Sequence, residues 1–520
     1  MTPACHTLRL VLGDQLNPGH SWFAQMDSQV VYVLMEVRQE TDYVLHHAQK
    51  ILAIFAAMRD FARQLRAAGH RVRYVALNDA SNRQSIPDNL AALAAHYRAQ
   101  AVQWQQPDEW RLDAQLRDWA ATQPPACAAA NSEHFLTARG DLAPLMHRRP
   151  QWLMEHFYRH MRRRHQVLLD AHGQPEGGQW NFDHDNRKPW PGTPPEPADW
   201  RPQHDHSALW AMIERAGVAS FGAPQAAALR WPLNRAEALA CLDAFITTAL
   251  PHFGDYEDAL AAQAPRLFHS LLSFALNVKM LHPLEVLQRA EAAWHAGHAP
   301  LAAVEGFVRQ ILGWREFVHH LHHHTQGFRN LPGNVLGAHQ PLFPAYWGTA
   351  SGLNCLDSVV ADVWREGYSH HITRLMVLSN LATLLDVDPA QLNHWFWVAY
   401  IDAFDWVVEP NVLGMGTYSL GPLMTTKPYV SGAAYLDRMS DYCSACAFDP
   451  KKNCPITPLY WAFLERHREH FLHNPRMAVV MRSLQRRSDE QKEQDRRTFE
   501  KVSRSLAQGR PLNPAVDPSA

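Results

Sequence analysis

Four of the seven cysteines are spaced so that one metal centre could bind them together. Three of them, Cys443, Cys446 and Cys454, follow the pattern C-x2-C-x7-C, and Cys355 lies upstream. Thiolates are soft ligands that select zinc or an iron–sulfur centre. The spacing alone does not distinguish these two, so both stay open. The other three cysteines are predicted to be ordinary thiols.

Length, composition and charge set the limits for the chain. It has 520 residues, of which 47% are hydrophobic, and its formal net charge is −2. This length is enough for two or three domains with a large core. A nucleic-acid partner would need a local basic patch, because the whole chain is not basic. No apolar run of transmembrane length and no signal-peptide pattern is present, so we expect a cytoplasmic protein without a membrane partner.

The first 135 residues alternate short apolar strands with helical segments. Strands are predicted at residues 8–12, 30–35, 71–76 and 101–104. A helix is predicted at about residues 46–68, where apolar side chains recur at helical spacing. This alternation predicts an α/β domain with a doubly wound parallel sheet over residues 1–135.

The rest of the chain divides into two parts. Residues 136–205 contain basic clusters at 147–149 and 162–165 and a proline-rich run. They are predicted to form an interdomain connector whose basic stretch contacts phosphates. From residue 206 to residue 520 helical periodicity dominates, which predicts an all-α domain.

Four segments carry a family resemblance. Residues 309–317 read R-Q-x-x-G-W-R-E-F, which resembles the signature helix of the photolyase/cryptochrome family. Segments 268–277, 368–380 and 400–411 resemble further motifs of that family in the expected order. The resemblance implies an α/β N-terminal doubly wound parallel-sheet domain that binds an antenna. An all-α, FAD-binding catalytic domain would follow it, which is the photolyase/cryptochrome architecture.

The four cysteines place the resemblance within one branch of the family. They resemble those of the iron–sulfur bacterial cryptochromes and photolyases, the prokaryotic (6-4) photolyase group. Members carry FAD, a [4Fe–4S] cluster and often a 6,7-dimethyl-8-ribityllumazine antenna. The resemblance implies that Cys355, Cys443, Cys446 and Cys454 bind the cluster, with zinc as the alternative metal.

The resemblance also implies which residues hold FAD. Arg374 would bridge the flavin and Asp402, because a reduced, anionic flavin is stabilised by a nearby cation. Either Glu409 or Asn411 would face the flavin N5, and the sequence does not decide between them. The full set of implied FAD contacts is His269, Ser270, Leu272, Ser273, Asn277, Gln310, Arg315, Arg374, Asp402, Glu409 and Asn411.

Two further sets of residues are expected to serve light capture and electron supply. In an open α/β sheet, ligands bind outside the carboxyl ends of the strands. The antenna candidates are Asp14, Gln15, Glu36 and Glu109. Trp347 and Trp395 resemble the family's electron-transfer aromatics, although Phe396 cannot replace tyrosine as a readily oxidised relay.

The expected catalytic residues lie in the third motif segment and downstream of the fourth. By the family pattern His371 faces the DNA lesion, where an imidazole can hydrogen-bond and transfer a proton near neutral pH. His370 and Tyr429 are further candidates. Leu375 occupies the position at which animal (6-4) photolyases carry a second histidine, which puts a two-histidine mechanism in doubt.

The resemblance implies a light-driven (6-4) DNA photolyase. Such an enzyme repairs (6-4) pyrimidine–pyrimidone photoproducts by electron transfer from photoexcited reduced FAD, with the lesion flipped out of UV-damaged DNA. A monomer is expected. The main alternative is a cryptochrome, a blue-light photoreceptor with a signalling role. A photolyase for cyclobutane dimers and a zinc-stabilised flavoprotein without photochemistry are weaker alternatives.

Overall fold

The computed structural model describes residues 4–141, 143–146, 151–331 and 333–514 of the chain. Its N-terminal part contains one five-stranded sheet in which every neighbouring pair of strands is parallel. The strands are β1 (Thr7–Leu10), β2 (Val30–Met35), β3 (Val72–Val75), β4 (Ala101–Gln105) and β5 (Ala126–Ala130). Their order is β3-β2-β1-β4-β5. Four strands were predicted from the sequence, and β5 adds an alanine-rich edge.

Helices flank the sheet on both faces. They are α1 (Arg38–Asp42), α2 (Ala48–Ala67), α3 (Ile86–Tyr97) and α4 (Trp110–Ala120). Along β2, Tyr32 and Leu34 pack into one apolar cluster, whereas Val31 and Val33 pack into another. This alternation of neighbouring residues between the two faces, both of them covered, is typical of a doubly wound sheet.

The connector holds two helices, α5 (Ala143–Met146) and α6 (Met154–His165). The predicted basic cluster at 147–149 lies outside the described residues. Arg162, in the second cluster, is only 1% exposed and donates to the carbonyls of Val167, Leu168 and Trp180. Because it is buried against the backbone, Arg162 is not available to a phosphate.

Helices make up the remaining regular structure. They are α7 (Ser207–Arg215), α8 (Arg235–Thr248), α9 (Leu250–Tyr256), α10 (Ser273–Asn277), α11 (Pro283–His295), α12 (Leu301–Val308), α13 (Glu316–His324), α14 (Asn354–Glu366), α15 (His371–Thr373), α16 (Asn380–Leu384), α17 (Pro389–Ala399), α18 (Asp405–Glu409), α19 (Ala433–Met439), α20 (Ile456–Arg466), α21 (Arg468–Phe471), α22 (Ala478–Gln485) and α23 (Asp489–Ala507). Within the described residues, none of these helices is long and apolar enough to cross a membrane.

Three π-helical segments interrupt the helical part. Arg309–Arg315 joins α12 to α13, Arg374–Ser379 joins α15 to α16, and Pro410–Gly416 follows α18. A π turn widens the helix and is rare, and it occurs mostly at functional sites. The sequence motifs did not predict these π segments, although each motif segment from residue 309 onward contains all or part of one.

One continuous apolar cluster joins the sheet region to the helical region. It includes Leu34 on β2, Phe55 on α2, Phe245 on α8 and Phe307 on α12. A shared core of this kind fixes the position of the sheet region relative to the helical region. This bears on the two pockets described below, which lie on either side of the contact between these regions.

Candidate cofactor pockets and lesion site

A cleft in the helical part is lined by side chains from all three π segments. Gln310 and Arg315 come from the first, Arg374 from the second and Asn411 from the third. The cleft, called the flavin cleft below, has a cavity volume of about 260 Å³.

Nine of the eleven predicted FAD contacts line the flavin cleft. They are His269, Ser270, Ser273, Asn277, Gln310, Arg315, Arg374, Asp402 and Asn411. Leu272 does not, because it is fully buried, and its neighbour Leu271 lines the cleft instead. The aromatic walls Trp314, Tyr368 and Trp406 were missed. Each of these three residues lies inside one of the four motif segments. The apolar side chains of those segments were therefore the signal that could have identified the aromatic walls.

An ion pair crosses the cleft between Arg374 and Asp402. Arg374 Nη1 and Nη2 donate to the two carboxylate oxygens at 3.1 and 3.0 Å, and Nε donates to the carbonyl of Ser369 at 2.8 Å. Burial works against the charge of Arg374, but the carboxylate of Asp402 outweighs it and raises the pKa of the guanidinium. The predicted bridge between these two residues is therefore present as a bidentate pair, the geometry that fixes a planar cation in place.

The side chains of Glu409 and Asn411 lie in different surroundings. Asn411 lines the cleft and donates through Nδ2 to the carbonyl of Val407 at 2.7 Å. Glu409 lies outside it, where its carboxyl group is hydrogen-bonded to His322 Nδ1 at 2.9 Å. Burial raises the pKa of Glu409 to about 8. The geometry favours Asn411 as the residue that can face a flavin.

Several buried polar atoms at the cleft have no hydrogen-bond partner in the protein. They include His269 Nε2, Ser273 Oγ, and both Nε and Nη1 of Arg315. Buried polar groups are nearly always paired, since an unpaired one costs free energy. A ligand with several polar groups would complete these contacts, and the hydroxyl, imidazole and guanidinium donors fit the phosphates and polar ring edge of FAD.

Three histidines form a cluster at the edge of the cleft. The rings of His269 and His370 stack with centroids 4.3 Å apart, and His371 meets His269 edge-on at 5.3 Å. His371 lines the cleft with its side chain 44% exposed, yet desolvation still lowers its pKa to about 4. His370 is 1% exposed and lies behind His269. Of the two predicted catalytic histidines, only His371 reaches the cleft.

His371 lies beside a carboxyl group at the edge of the flavin cleft. Its Nε2 is 4.0 Å from Asp258 Oδ1. Burial raises the pKa of Asp258 to about 6. These two side chains form a partly open, polar mouth of the cleft. Tyr429, the third predicted catalytic residue, is 37% exposed and does not line the cleft.

A line of aromatic rings leads from Arg374 to the surface. The guanidinium of Arg374 lies 4.0 Å from the ring centroid of Tyr400, whose ring is 5.9 Å from that of Trp395. Trp395 is fully buried, contacts the Tyr346 ring at 5.4 Å and donates to the Tyr346 carbonyl at 2.9 Å. Trp347 follows directly and is 37% exposed. The two predicted tryptophans, Trp395 and Trp347, are connected through Tyr346, which contacts the Trp395 ring and directly precedes Trp347 in the chain.

A second, smaller pocket lies at the carboxyl ends of β1 and β2 and beside the segment that follows β4. Its cavity volume is about 90 Å³, and its polar lining includes Asp14, Tyr43, Lys50 and Glu109. The sheet order reverses between β1 and β4, and ligands bind at such switch points in doubly wound sheets. Phe404 closes one wall, two residues from Asp402 in the flavin cleft.

Two of the four predicted antenna residues lie outside this pocket. Glu36 accepts from Arg59 Nε at 2.6 Å, from the Tyr74 hydroxyl at 2.6 Å and from the Leu77 N–H at 2.8 Å. Gln15 is bonded to backbone groups within the sheet region. The polar groups of Glu36 and Gln15 are already engaged in hydrogen bonds within the protein, whereas Asp14 and Glu109 line the pocket.

The four predicted metal ligands come together from three segments. Cys355 is in the first turn of α14, Cys443 is within a short 3-10 turn that Cys446 directly follows, and Cys454 precedes α20. Burial raises the pKa of Cys355, and the other three thiols raise it further. Asn354 Nδ2 also donates to the Tyr442 carbonyl at 2.8 Å, which ties two of the segments together.

Comparisons with known proteins agree with this arrangement. The family described as deoxyribodipyrimidine photo-lyase-related protein matches residues 9–229, and the FAD binding domain of DNA photolyase matches residues 307–442. A (6-4) photolyase of Agrobacterium fabrum (strain C58 / ATCC 33970) is 37% identical over 496 residues, which cover 93% of this chain and 96% of the relative. A deoxyribodipyrimidine photo-lyase of the same organism is 28% identical over 184 residues, 33% of this chain and 36% of that protein.

A solved structure shares the whole architecture. The crystal structure of a bacterial class III photolyase from Agrobacterium tumefaciens superposes with a TM-score of 0.58 at 16% identity, covering 96% of this chain and 98% of that one. The α/β sheet domain followed by a helical FAD-binding domain is the photolyase architecture. This chain belongs to the bacterial (6-4) photolyase/cryptochrome family.

Proposed function

We propose that this protein is a (6-4) DNA photolyase that repairs UV-induced (6-4) photoproducts under light. The observation that carries the proposal is the position of His371, which lines the flavin cleft beside the Arg374–Asp402 pair and opens to the mouth beside Asp258. FAD bound in the cleft would supply the electron that the excited reduced flavin gives to the lesion.

The chain's own residues would hold and hydrogen-bond the lesion. A base pair inside a duplex cannot reach the cleft, so the lesion is expected to flip out of the stack into the mouth. Tyr429 would contact the flipped bases. His371 is neutral at pH 7, because burial lowers its pKa to about 4. It would donate a hydrogen bond from one ring nitrogen to the developing negative charge, and its unprotonated nitrogen can accept a proton.

The test is light-dependent repair of an oligonucleotide with one (6-4) photoproduct, using anaerobically reduced protein and a dark control. Repair only in the light supports the proposal. Absence of repair by a protein that contains its FAD would instead favour a cryptochrome. Parallel oligonucleotides with a cyclobutane dimer and with no lesion establish which damage is recognised.

We also propose a [4Fe–4S] cluster at the cysteine quartet. Four sulfurs around one tetrahedral zinc at about 2.3 Å would lie about 3.8 Å from one another. Among the described residues, the cysteines do not form a group of three ligand atoms mutually within 4.8 Å. The quartet is therefore wide for a single zinc ion and suits a larger cluster. Iron, sulfide and zinc analysis of protein purified without oxygen decides between the two metals.

The second pocket is proposed to hold a 6,7-dimethyl-8-ribityllumazine antenna. It is smaller than the flavin cleft, and its Asp14, Lys50 and Glu109 side chains can bond to a polar ring and a ribityl chain. Mass spectrometry of the released cofactors tests this assignment. Light scattering on the loaded protein tests the expected monomer.

A further inference from the structure

Helix α13 carries five histidines in six positions, and two of them meet a buried carboxylate. His319 Nε2 is 3.2 Å from His323 Nε2 and 3.2 Å from Asp108 Oδ1. All three ligand atoms lie within 4.8 Å of one another. None of the three residues lines the flavin cleft or the second pocket, so the cofactor assignments do not account for this cluster.

The separations match those of ligands around one small metal ion. Zinc binds imidazole nitrogen and carboxylate oxygen at about 2.0–2.2 Å, which places tetrahedral ligand atoms about 3.3–3.5 Å apart. The two observed distances of 3.2 Å lie close to this value. His319 and His323 are four residues apart, so α13 places both imidazoles on one face. This is the spacing with which one helix supplies two zinc ligands.

The protonation states suit a metal. Burial lowers the pKa of both imidazoles, so at pH 7 they are neutral and each has a lone pair. Burial opposes the charge of Asp108, but Lys279 and His319 hold the pKa of the carboxyl well below its usual value. The three atoms that converge are therefore the anionic Asp108 oxygen and the neutral imidazole nitrogens of His319 and His323. Each neutral imidazole carries only one N–H, so at most one hydrogen bond can be donated from each ring.

The residues around Asp108 leave one of its two carboxylate oxygens available to bind the ion. Lys279 Nζ contacts Asp108 Oδ2 at 2.6 Å, which leaves Oδ1 facing His319. A carboxylate ligand commonly has its other oxygen hydrogen-bonded, because this orients it. The positive charge of Lys279 is shared with Asp14 at 3.2 Å. His323 is partly exposed, whereas Asp108 and His319 are buried, so an ion can enter from the His323 side.

We propose that Asp108, His319 and His323 form a binding site for a divalent transition-metal ion, with Zn²⁺ as the probe, in which a fourth position is left for water. Two imidazoles and one carboxylate suit zinc and its neighbours rather than Mg²⁺, which prefers oxygen ligands. The site would join α13 to the segment that follows β4. It lies between the two pockets, since Asp108 leads through Lys279 to Asp14 of the second pocket, and the His319 ring contacts Trp406 of the flavin cleft edge-on at 5.5 Å.

The test measures metal directly rather than activity. Holoprotein with its FAD and its cysteine-bound metal in place is freed of loosely bound ions with a chelator and then titrated with Zn²⁺ or Mg²⁺. We expect one tight zinc per chain beyond the metal at the cysteines, and no binding of Mg²⁺ at the same concentration. X-ray absorption at the zinc edge should give nitrogen and oxygen neighbours at about 2.0–2.1 Å rather than sulfur at about 2.3 Å.

Matched variants locate the ion. His323→Ala removes the partly exposed ligand and should weaken zinc binding at least about tenfold. His324→Ala removes the next imidazole on the same helix and should leave binding unchanged. His319→Gln provides a second ligand variant if His323→Ala loses FAD, which serves as the measure of folding. Absence of the extra zinc, a sulfur-only shell, or equal binding in His323→Ala and His324→Ala would overturn the proposal.

Discussion

The flavin cleft and the second pocket differ in how far the protein satisfies its own polar groups. At the flavin cleft, Arg315, Ser273 and His269 keep buried polar atoms without a hydrogen-bond partner. At the second pocket, Asp14 is already paired with Lys279, and Glu109 accepts from the Asp405 N–H at 3.3 Å. Unpaired buried polar atoms are therefore more numerous at the flavin cleft than at the second pocket, where His46 Nδ1 is one of them.

This contrast predicts that the stability of the protein depends more on FAD than on the lumazine. A site whose buried donors need a ligand gains stability when it binds, while the empty form carries the cost of unpaired groups. A site whose charges pair internally gains less from its ligand and releases it more readily. Removing FAD should therefore lower the melting temperature more than removing the lumazine. The variants below test the comparison, from the largest expected effect to the smallest.

Arg374→Ala should have the largest effect. It leaves the 4%-exposed Asp402 as a buried carboxylate without its partner, which typically costs about 3–5 kcal/mol. It also removes the cation expected beside the flavin, so we expect loss of FAD. Denaturant unfolding and flavin absorbance measure the two effects. Arg365→Ala is the control, because Arg365 is 47% exposed in its pair with Asp362 and should cost about 0–1 kcal/mol. Equal costs for the two variants would refute a special role for the buried pair.

His371→Ala should abolish (6-4) repair while FAD stays bound. His371 reaches the cleft only at its edge, and general acid–base catalysis is typically worth about 10²–10⁴-fold. Repair yield per absorbed photon and flavin content are measured on the same sample. His324→Ala, a half-buried histidine on α13, controls for loss of an imidazole elsewhere. A His371→Ala protein that repairs at the wild-type yield would remove this residue from the mechanism.

Glu109→Gln should affect the second pocket alone. It removes the negative charge of a residue that lines this pocket and is paired with Arg111 at 3.3 Å. We expect lumazine content to fall by about tenfold, the scale of losing one charged hydrogen bond, and FAD content to stay the same. Glu36→Gln is the matched control, because Glu36 is a buried glutamate bonded to Arg59 outside the pocket. Loss of FAD in Glu109→Gln would show that the two sites are not independent.

The sequence predicted the flavin cleft better than the second pocket for a physical reason. Arg374 and Asp402 lie in two different segments that resemble motifs of the family, and this resemblance paired them in advance. The lining of the second pocket depends on where the strands end. A shift of one residue along a strand moves a side chain to the opposite face of the sheet. Glu36 ends a predicted strand but turns to Arg59, and Lys50, which lines the pocket, comes from a helix that gave no signal of a ligand site.

Some features could not have been predicted from one sequence. The π segments place Gln310 and Asn411 in the cleft, but a π turn is a shift in backbone hydrogen bonding that side-chain periodicity does not report. Glu409 and Asn411 are two residues apart, so either could have faced the flavin. Their separation into different environments depends on the π segment that begins at Pro410.

The smallest expected effect on cofactor content concerns this last pair. Burial raises the pKa of Glu409 to about 8, from an ordinary 4.5. The folded protein therefore binds more protons than the unfolded chain between these pH values, so the free energy of unfolding contributed by Glu409 falls as pH rises from about 4.5 to about 8. Glu409→Gln has no charge to bury, so it should lose less stability than the wild type over this interval.

Unfolding at a series of pH values measures this slope, and flavin absorbance separates it from cofactor effects. Asn411→Ala should do the opposite: it should leave the pH slope unchanged and shift the flavin spectrum or redox potential, because Asn411 lines the cleft and does not titrate. If Glu409→Gln shifted the flavin and Asn411→Ala did not, Glu409 would be the residue that faces the flavin. The unpaired polar atoms of the cleft would then not be a reliable guide to which side chains the cofactor meets.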